Sequence, residues 1–158
     1  MMRVETISKR APILLAIALA HFASGAGAHE DEHRDAAYGR PGDPAKVSRT
    51  IAIDMSDAMR FTPARIKARK GETIRFALSN SGKVRHEMVL GSSRELKEHA
   101  TLMRKFPEME HTDPNRLSVD PGKTGALVWQ FARAGTFAFA CLQPGHFEAG
   151  MRGKITVR

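Results

Sequence analysis

Short runs in which apolar and polar residues alternate are the feature that most restricts how this chain can fold. The apolar members of these runs after Thr50 are Ile51, Ile53 and Met55; Ile74, Phe76 and Leu78; Leu127, Trp129 and Phe131; and Ile155 and Val157. A period of two places such residues on one face of a β-strand. Turns rich in Gly, Pro and Asn separate the runs. The pattern therefore predicts an all-β fold, an antiparallel Greek-key β-sandwich.

One segment interrupts this pattern between Gly91 and Asn115. Ser92 and Glu95 have the spacing of a capping box, which marks the start of a helix. Apolar residues then recur at helical spacing, at positions Leu96, Ala100 and Met103, until Pro107 stops them. We therefore expect a helix and a loop inserted into the sandwich at about residues 92–115.

The only cysteine of the chain begins a short segment in which Cys141, His146 and Met151 are spaced five residues apart. Phe137 and Phe139 share the predicted strand face of Cys141, so its sulfur should point into an apolar interior. Blue-copper sites take two His nitrogens and one Cys sulfur in a trigonal plane, with a weak axial Met. The segment supplies three of these ligands, and His86, at the start of another predicted strand, is the candidate for the fourth.

The C-x4-H-x4-M segment, with an upstream His after a Gly-containing turn, resembles the cupredoxins, the type 1 copper proteins that include plastocyanin, azurin and auracyanin. The resemblance covers roughly residues 49–158. It implies one type 1 copper ion per chain, with four ligands: His86, Cys141, His146 and Met151. Family members commonly have Asn directly after the first His, where it braces the Cys loop. This chain has Glu87 in that place.

The whole chain resembles the exported cupredoxins that are associated with copper resistance in proteobacteria. This implies a copper-binding protein that cycles between Cu(I) and Cu(II) in copper tolerance or homeostasis. In the family, the His of the ligand loop presents its ring edge through an apolar patch. The residues that would form this docking face around His146 are Pro144, Gly145, Phe147 and Ala149.

Two other functions stay open. The same site would serve a small soluble electron carrier to a respiratory or denitrification enzyme. A metal-independent secreted binding sandwich would instead keep Cys141 as an inert buried hydrophobe. No Ser/His/Asp arrangement supports hydrolysis, so we expect no enzymatic activity, apart from oxidation of Cu(I), which the sequence leaves open.

The first 28 residues have the pattern of a secretory signal peptide, with Arg3, Lys9 and Arg10 before an apolar run and a small-residue cleavage site after it. We expect cleavage after Ala28 and a periplasmic location. The apolar run is shorter than the about 20 residues that span a bilayer, and no later run is longer, so no membrane span is expected. An unpaired cysteine in an oxidising compartment needs an explanation, which copper ligation supplies.

The charge of the chain favours protein partners over nucleic acid. The leader carries three basic residues and one acidic residue, so the predicted mature chain has a net charge of +6 instead of the +8 of the whole chain. The basic residues are spread along the chain, no basic run is interleaved with aromatics, and the chain is predicted to be exported, so nucleic acid is not an expected partner. An acidic redox or copper-delivery protein, docking near His146, fits this charge.

Residues 29–48 are expected to form a flexible tail, because they combine acidic residues with Gly and Pro. Cleavage at Ala28 would leave an α-amino group beside the His29 imidazole, which suggests metal capture. Soft Met and His ligands also select Cu(I). The candidates for weak additional copper binding are His29, His33, His99, Met103, Met109 and His111. The alternative is that Met103 packs on the sheet while His99 and His111 are solvated.

Overall fold

Two five-stranded sheets share one apolar core in the computed structural model, which describes residues 36–109 and 112–158. The strands are β1 (Arg40–Pro41), β2 (Arg49–Ser56), β3 (Arg60–Thr62), β4 (Arg65–Ala68), β5 (Thr73–Asn80), β6 (His86–Gly91), β7 (Arg116–Val119), β8 (Thr124–Gln130), β9 (Gly135–Ala140) and β10 (Arg152–Val157), and the helix α1 (Ser93–Lys105) follows β6. The first sheet has the order β1-β8-β5-β2-β3, and the second has the order β4-β10-β9-β6-β7. The predicted β-sandwich with one helix is confirmed.

The alternating runs supply the core, as the sequence predicted. Ile53, Ile74, Phe76, Trp129 and Ile155 are all fully buried in the cluster between the two sheets. Full burial of a large apolar side chain contributes about 1.5 to 3 kcal/mol relative to leaving it exposed. Each run places its apolar members on one face of its strand, so each sheet has an apolar face. The two sheets bury these apolar faces by packing them against each other.

Two strand pairs are parallel, so the prediction of a wholly antiparallel sandwich is wrong for them. β2 pairs with β5 in parallel, and β4 pairs with β10 in parallel. Alternation indicates which side chains share a face, but it does not indicate which strand lies alongside. Between β2 and β5 the chain passes through β3 and crosses to the other sheet as β4. β5 can therefore return in the same direction as β2.

The helix covers the outer face of the second sheet. It begins after Ser92, whose capping box with Glu95 is complete. Its buried residues join residues of the second sheet and of the loop after β9 in a second apolar cluster, made of Val89, Leu96, Ala100, Met103, Ala140 and Leu142. All six residues of β6 are buried, because this strand has the main core on one face and the helix cluster near the other.

Residues 36–48 are held against the first sheet, which corrects the prediction of a flexible tail over that part of residues 29–48. Tyr38 is buried and stacks on Trp129, with ring centroids 5.8 Å apart, and the Trp129 indole N–H donates to the Tyr38 carbonyl at 3.0 Å. β1 pairs with β8. The Gly and Pro content indicated flexibility, but the large apolar area of one tyrosine stabilises the docked segment.

The predicted signal peptide and the start of the tail, residues 1–35, lie outside the described residues. Cleavage after Ala28 and export therefore stay predictions. In the portions of the chain that the structure describes, no helix is both long and apolar enough to cross a membrane.

Candidate metal centre

The loop between β9 and β10, residues 141–151, carries the three predicted ligands and closes on itself through backbone hydrogen bonds. The Cys141 N–H donates to the Met151 carbonyl at 3.1 Å, and the Met151 N–H donates to the His146 carbonyl at 3.0 Å. Gly145 has a φ of +84°, in the left-handed region that glycine adopts without strain. We call this segment the ligand loop. Its own backbone bonds hold the three side chains at one end of the sandwich.

Three of the four predicted ligands converge. The ligand atoms of His86, Cys141 and His146 all lie within 4.8 Å of one another, and they are the one such group of three or more His, Cys, Asp or Glu residues in the described residues. The Cys141 Sγ and the His146 Nδ1 are 3.3 Å apart, and the two histidine rings have centroids 5.0 Å apart. The fourth predicted ligand, Met151, is fully buried in the same apolar cluster as Cys141.

His86 has one ring nitrogen bonded and the other without a partner. It is the first residue of β6 and is fully buried, and its Nε2 lies 3.0 Å from the Asp57 Oδ1. A carboxylate only accepts, so the Nε2 is the donor of this hydrogen bond, and in the neutral imidazole the Nδ1 is then the acceptor. The Nδ1 is buried and has no hydrogen-bond partner among the described residues. A buried unpaired acceptor costs about 1 to 3 kcal/mol, and a bound metal would supply the partner.

Asp57 itself is held in place by the loop before β6. The Lys83 backbone N–H donates to its Oδ2 at 2.8 Å. That hydrogen bond, and then the one to His86, hold the pKa of the Asp57 carboxyl below its usual value. The resulting carboxylate–histidine pair is the arrangement that orients metal-binding histidines in many proteins.

The other two titratable residues among the predicted ligands, Cys141 and His146, are uncharged at neutral pH without a metal. Burial raises the pKa of the Cys141 thiol to about 12. The backbone N–H groups of Glu87 and Gln143 oppose this rise, and the charge of Glu87 adds to it. Burial, followed by the neighbouring His86, lowers the pKa of His146. Two imidazoles, one thiol and one thioether form the soft donor set that copper prefers, so the residues fit that metal.

Glu87 braces the ligand loop in place of the Asn that the resemblance to the cupredoxins implies. Its Oε1 accepts from the backbone N–H of Leu142, the residue after Cys141, at 3.1 Å. Its Oε2 accepts from the Arg116 guanidinium at 2.7 Å and from the Ser118 hydroxyl at 3.0 Å. The carboxylate therefore makes the hydrogen bond to the loop and also forms an ion pair with β7.

Sequence reasoning missed Asp57 and Arg116. Asp57 lies between β2 and β3, in the other sheet from His86, and no local motif links the two residues. Arg116 reaches Glu87 because β6 and β7 pair with Glu87 opposite Ser118. The contacts of Asp57 with His86 and of Arg116 with Glu87 depend on which strands lie side by side, so they could not be predicted from local sequence motifs.

The described residues among those proposed for weak additional copper binding do not all lie at one site. Met103 is buried against the sheet, and together with Met109 it lines a cavity of about 330 Å³. His99 is half-buried and lines a different cavity, beside Tyr38 and Asn115. Met103 therefore packs on the sheet, as the alternative to copper binding predicted. The remaining members, His29, His33 and His111, lie outside the described residues, so an additional copper site stays a prediction.

The surroundings of His146 are accessible. Pro144, Gly145 and Ala149 are exposed, while His146 and Phe147 are half-buried. The Arg152 guanidinium lies 4.9 Å from the centre of the Phe147 ring. A docking face for a partner protein at this position stays a prediction.

Comparison with known proteins links the site to copper. The family model described as copper binding proteins, plastocyanin/azurin family, matches residues 47–158. The copper-resistant cuproprotein CopI of Rubrivivax gelatinosus is 54% identical over 138 residues, which cover 87% of this chain and 83% of the relative. The protein of the same name from Pseudomonas aeruginosa is 34% identical, over 85% of this chain and 90% of the relative.

The fold also matches a solved structure. Dithionite-reduced auracyanin from the photosynthetic bacterium Roseiflexus castenholzii superposes with a TM-score of 0.61 and 19% identity, over 71% of this chain and 98% of that chain. At this identity the match shows the sandwich fold. On the family model and the two relatives, this chain belongs to the plastocyanin/azurin family of copper binding proteins.

Proposed function

We propose that the protein binds one type 1 copper ion through His86, Cys141, His146 and Met151 and acts in copper resistance. The observation that carries this proposal is the convergence of the His86, Cys141 and His146 ligand atoms within 4.8 Å. The family membership supports copper as the metal, and the relatives, which are named copper-resistant cuproproteins, support the physiological role.

Bound copper would supply a centre that exchanges single electrons between Cu(I) and Cu(II). The protein holds the ligand side chains in place whether the metal is Cu(I) or Cu(II). Asp57 orients His86, the backbone bonds of the ligand loop hold Cys141 next to His146, and the core excludes water from Cys141 and Met151. Ligands that are held in this way need little movement when the charge of the metal changes, which favours fast electron exchange.

The proposed location and partner rest on the predicted signal peptide and on the net charge of the chain. A predicted signal peptide supports a periplasmic location, and a positive mature chain supports an acidic partner that docks around His146. The half-buried His146 among exposed Pro144, Gly145 and Ala149 also supports the second candidate function, a soluble electron carrier. In both functions the protein binds a copper ion that changes between Cu(I) and Cu(II), and it transforms no organic substrate.

The test is the visible spectrum of the oxidised protein with one equivalent of Cu(II). We expect an intense charge-transfer band from thiolate to copper, and we expect Cys141→Ser to abolish it, because the chain has no other cysteine. Ala140→Ser is the matched control: it adds the same hydroxyl at the neighbouring buried position and removes no ligand. A band of unchanged intensity in Cys141→Ser would refute the site.

The physiological part has its own test. A host strain that lacks the gene should lose copper tolerance, and the wild-type gene should restore it, whereas the Cys141→Ser gene should not. Equal tolerance in all three strains, with impaired growth under respiration or denitrification, would favour the electron-carrier function instead.

A further inference from the structure

Glu87 is the one carboxylate that is fully buried in the described parts of the chain, and it lies next to a copper ligand. It is 1% exposed, and the side chain of its partner Arg116 is 12% exposed. Glu87 is not one of the four proposed ligands, so its negative charge has no role in holding the copper directly. We propose that Glu87 is a positioning residue of the metal centre whose buried negative charge favours Cu(II) over Cu(I). The inference rests on the proposed copper site.

The geometry makes Glu87 the link between the two segments that carry ligands. It follows His86 in β6, and alternation turns its side chain away from the core face on which His86 and Met88 lie. On that other face its Oε1 accepts from the Leu142 N–H, directly after Cys141. One side chain therefore joins the strand of the first ligand to the loop of the others.

The hydrogen-bond pattern is that of an ionised carboxylate. Its two oxygens accept from three donors, the Leu142 N–H, the Arg116 guanidinium and the Ser118 hydroxyl. Two of these three groups, the Leu142 N–H and the Arg116 guanidinium, can only donate, whereas the Ser118 hydroxyl can donate or accept. A carboxylate accepts only, so this environment suits the charged form.

The ion pair with Arg116 is oriented with its negative end toward the metal centre. Arg116 and Ser118 bind Oε2, while Oε1 is directed at the ligand loop. Burial weakens the screening of the charge, because the interior has a lower dielectric constant than water.

A fixed negative charge stabilises a doubly charged ion more than a singly charged one. Glu87 should therefore raise the affinity for Cu(II) relative to Cu(I) and lower the reduction potential. An ion pair that only held β6 to β7 would behave differently, because its loss would lower the stability of the fold and leave the ratio of the two affinities unchanged.

The test compares Glu87→Gln with wild type, since glutamine keeps the shape and removes the charge. We expect the ratio of Cu(II) affinity to Cu(I) affinity to fall about tenfold, which corresponds to a rise of about 59 mV in the reduction potential of a one-electron couple. The double variant E87Q/R116M removes the whole pair, so that no unpaired guanidinium is left. It should shift the ratio in the same direction and serves if the single variant does not fold.

Ser118→Ala is the matched control, because it removes one hydrogen bond to the same carboxylate without a change in charge. Its ratio of affinities should equal that of wild type. A second readout needs no copper: hydrogen exchange of the Leu142 amide in the metal-free protein should be faster in Glu87→Gln, because hydrogen bonds to a charged acceptor are roughly twice as strong as neutral ones.

The outcomes separate the two proposals. If Glu87→Gln and the double variant keep the wild-type ratio while Cys141→Ser loses the band, the copper site stands and the role of the Glu87 charge is refuted. If wild-type protein gives no band, the copper proposal fails. Leu142 exchange that is unchanged in Glu87→Gln would refute the positioning role whether or not copper binds.

Discussion

Removal of the Asp57 carboxylate should weaken copper binding although Asp57 is not a predicted ligand. Its Oδ1 lies 3.0 Å from the Nε2 of a fully buried His86 and fixes the proton there. Loss of such a partner typically costs about 10- to 100-fold in metal affinity. The Asp57 side chain is 39% exposed, so water can replace part of the lost interaction. We therefore expect Asp57→Ala to lose about tenfold, the lower end of that range.

The assay is competition for Cu(II) with a chelator of known affinity at fixed pH. Asp57→Asn should lose less than Asp57→Ala, because the amide oxygen can still accept the His86 proton while the charge is gone. Thermal unfolding of the metal-free variants shows how far the loss of the Lys83 hydrogen bond disturbs the loop before β6.

Asp54→Ala is the matched control. Asp54 lies in β2, shortly before Asp57, and its carboxylate accepts from the Ser79 and Ser81 hydroxyls and not from a predicted ligand. Its removal should leave copper affinity unchanged. The reasoning is refuted if Asp57→Ala binds copper as tightly as wild type, or if Asp54→Ala loses as much.

Three further predictions concern the axial ligand, the thiol proton and the helix. Met151→Leu should keep copper and raise the reduction potential, because the axial thioether tunes the metal and holds it weakly; Met55→Leu, in the core, should leave the potential unchanged in the same voltammetry. Copper binding at pH 7 should release about one proton, because Cys141 has a pKa of about 12 in the metal-free protein and must bind as the thiolate. Affinity should therefore rise with pH, and calorimetry in two buffers should show no such release in Cys141→Ser. Ser92→Ala should lower the free energy of unfolding by about 1 kcal/mol in denaturant titrations, because it removes half of the capping box; an unchanged midpoint would contradict this.

The parts of the molecule that sequence reasoning predicted are those encoded by neighbouring residues. Alternation determined which faces of β2, β5 and β8 are buried, because successive side chains of a strand point to opposite sides. The capping box located the start of α1. The ligand loop could be recognised because its three side chains are separated by only five residues each, so one short loop between two strands brings them together.

The tertiary structure decided the contacts that depend on which strands lie side by side. Alternation carries no information on strand direction or neighbours, so the parallel pairs and the contact of Asp57 with His86 could not be derived from it. The same holds for the Glu87–Arg116 ion pair, which exists because β6 pairs with β7, and for Tyr38, whose burial depends on the ring of Trp129. These contacts join residues far apart in the chain, and their free energy depends on the burial and dielectric environment that only the assembled sandwich provides.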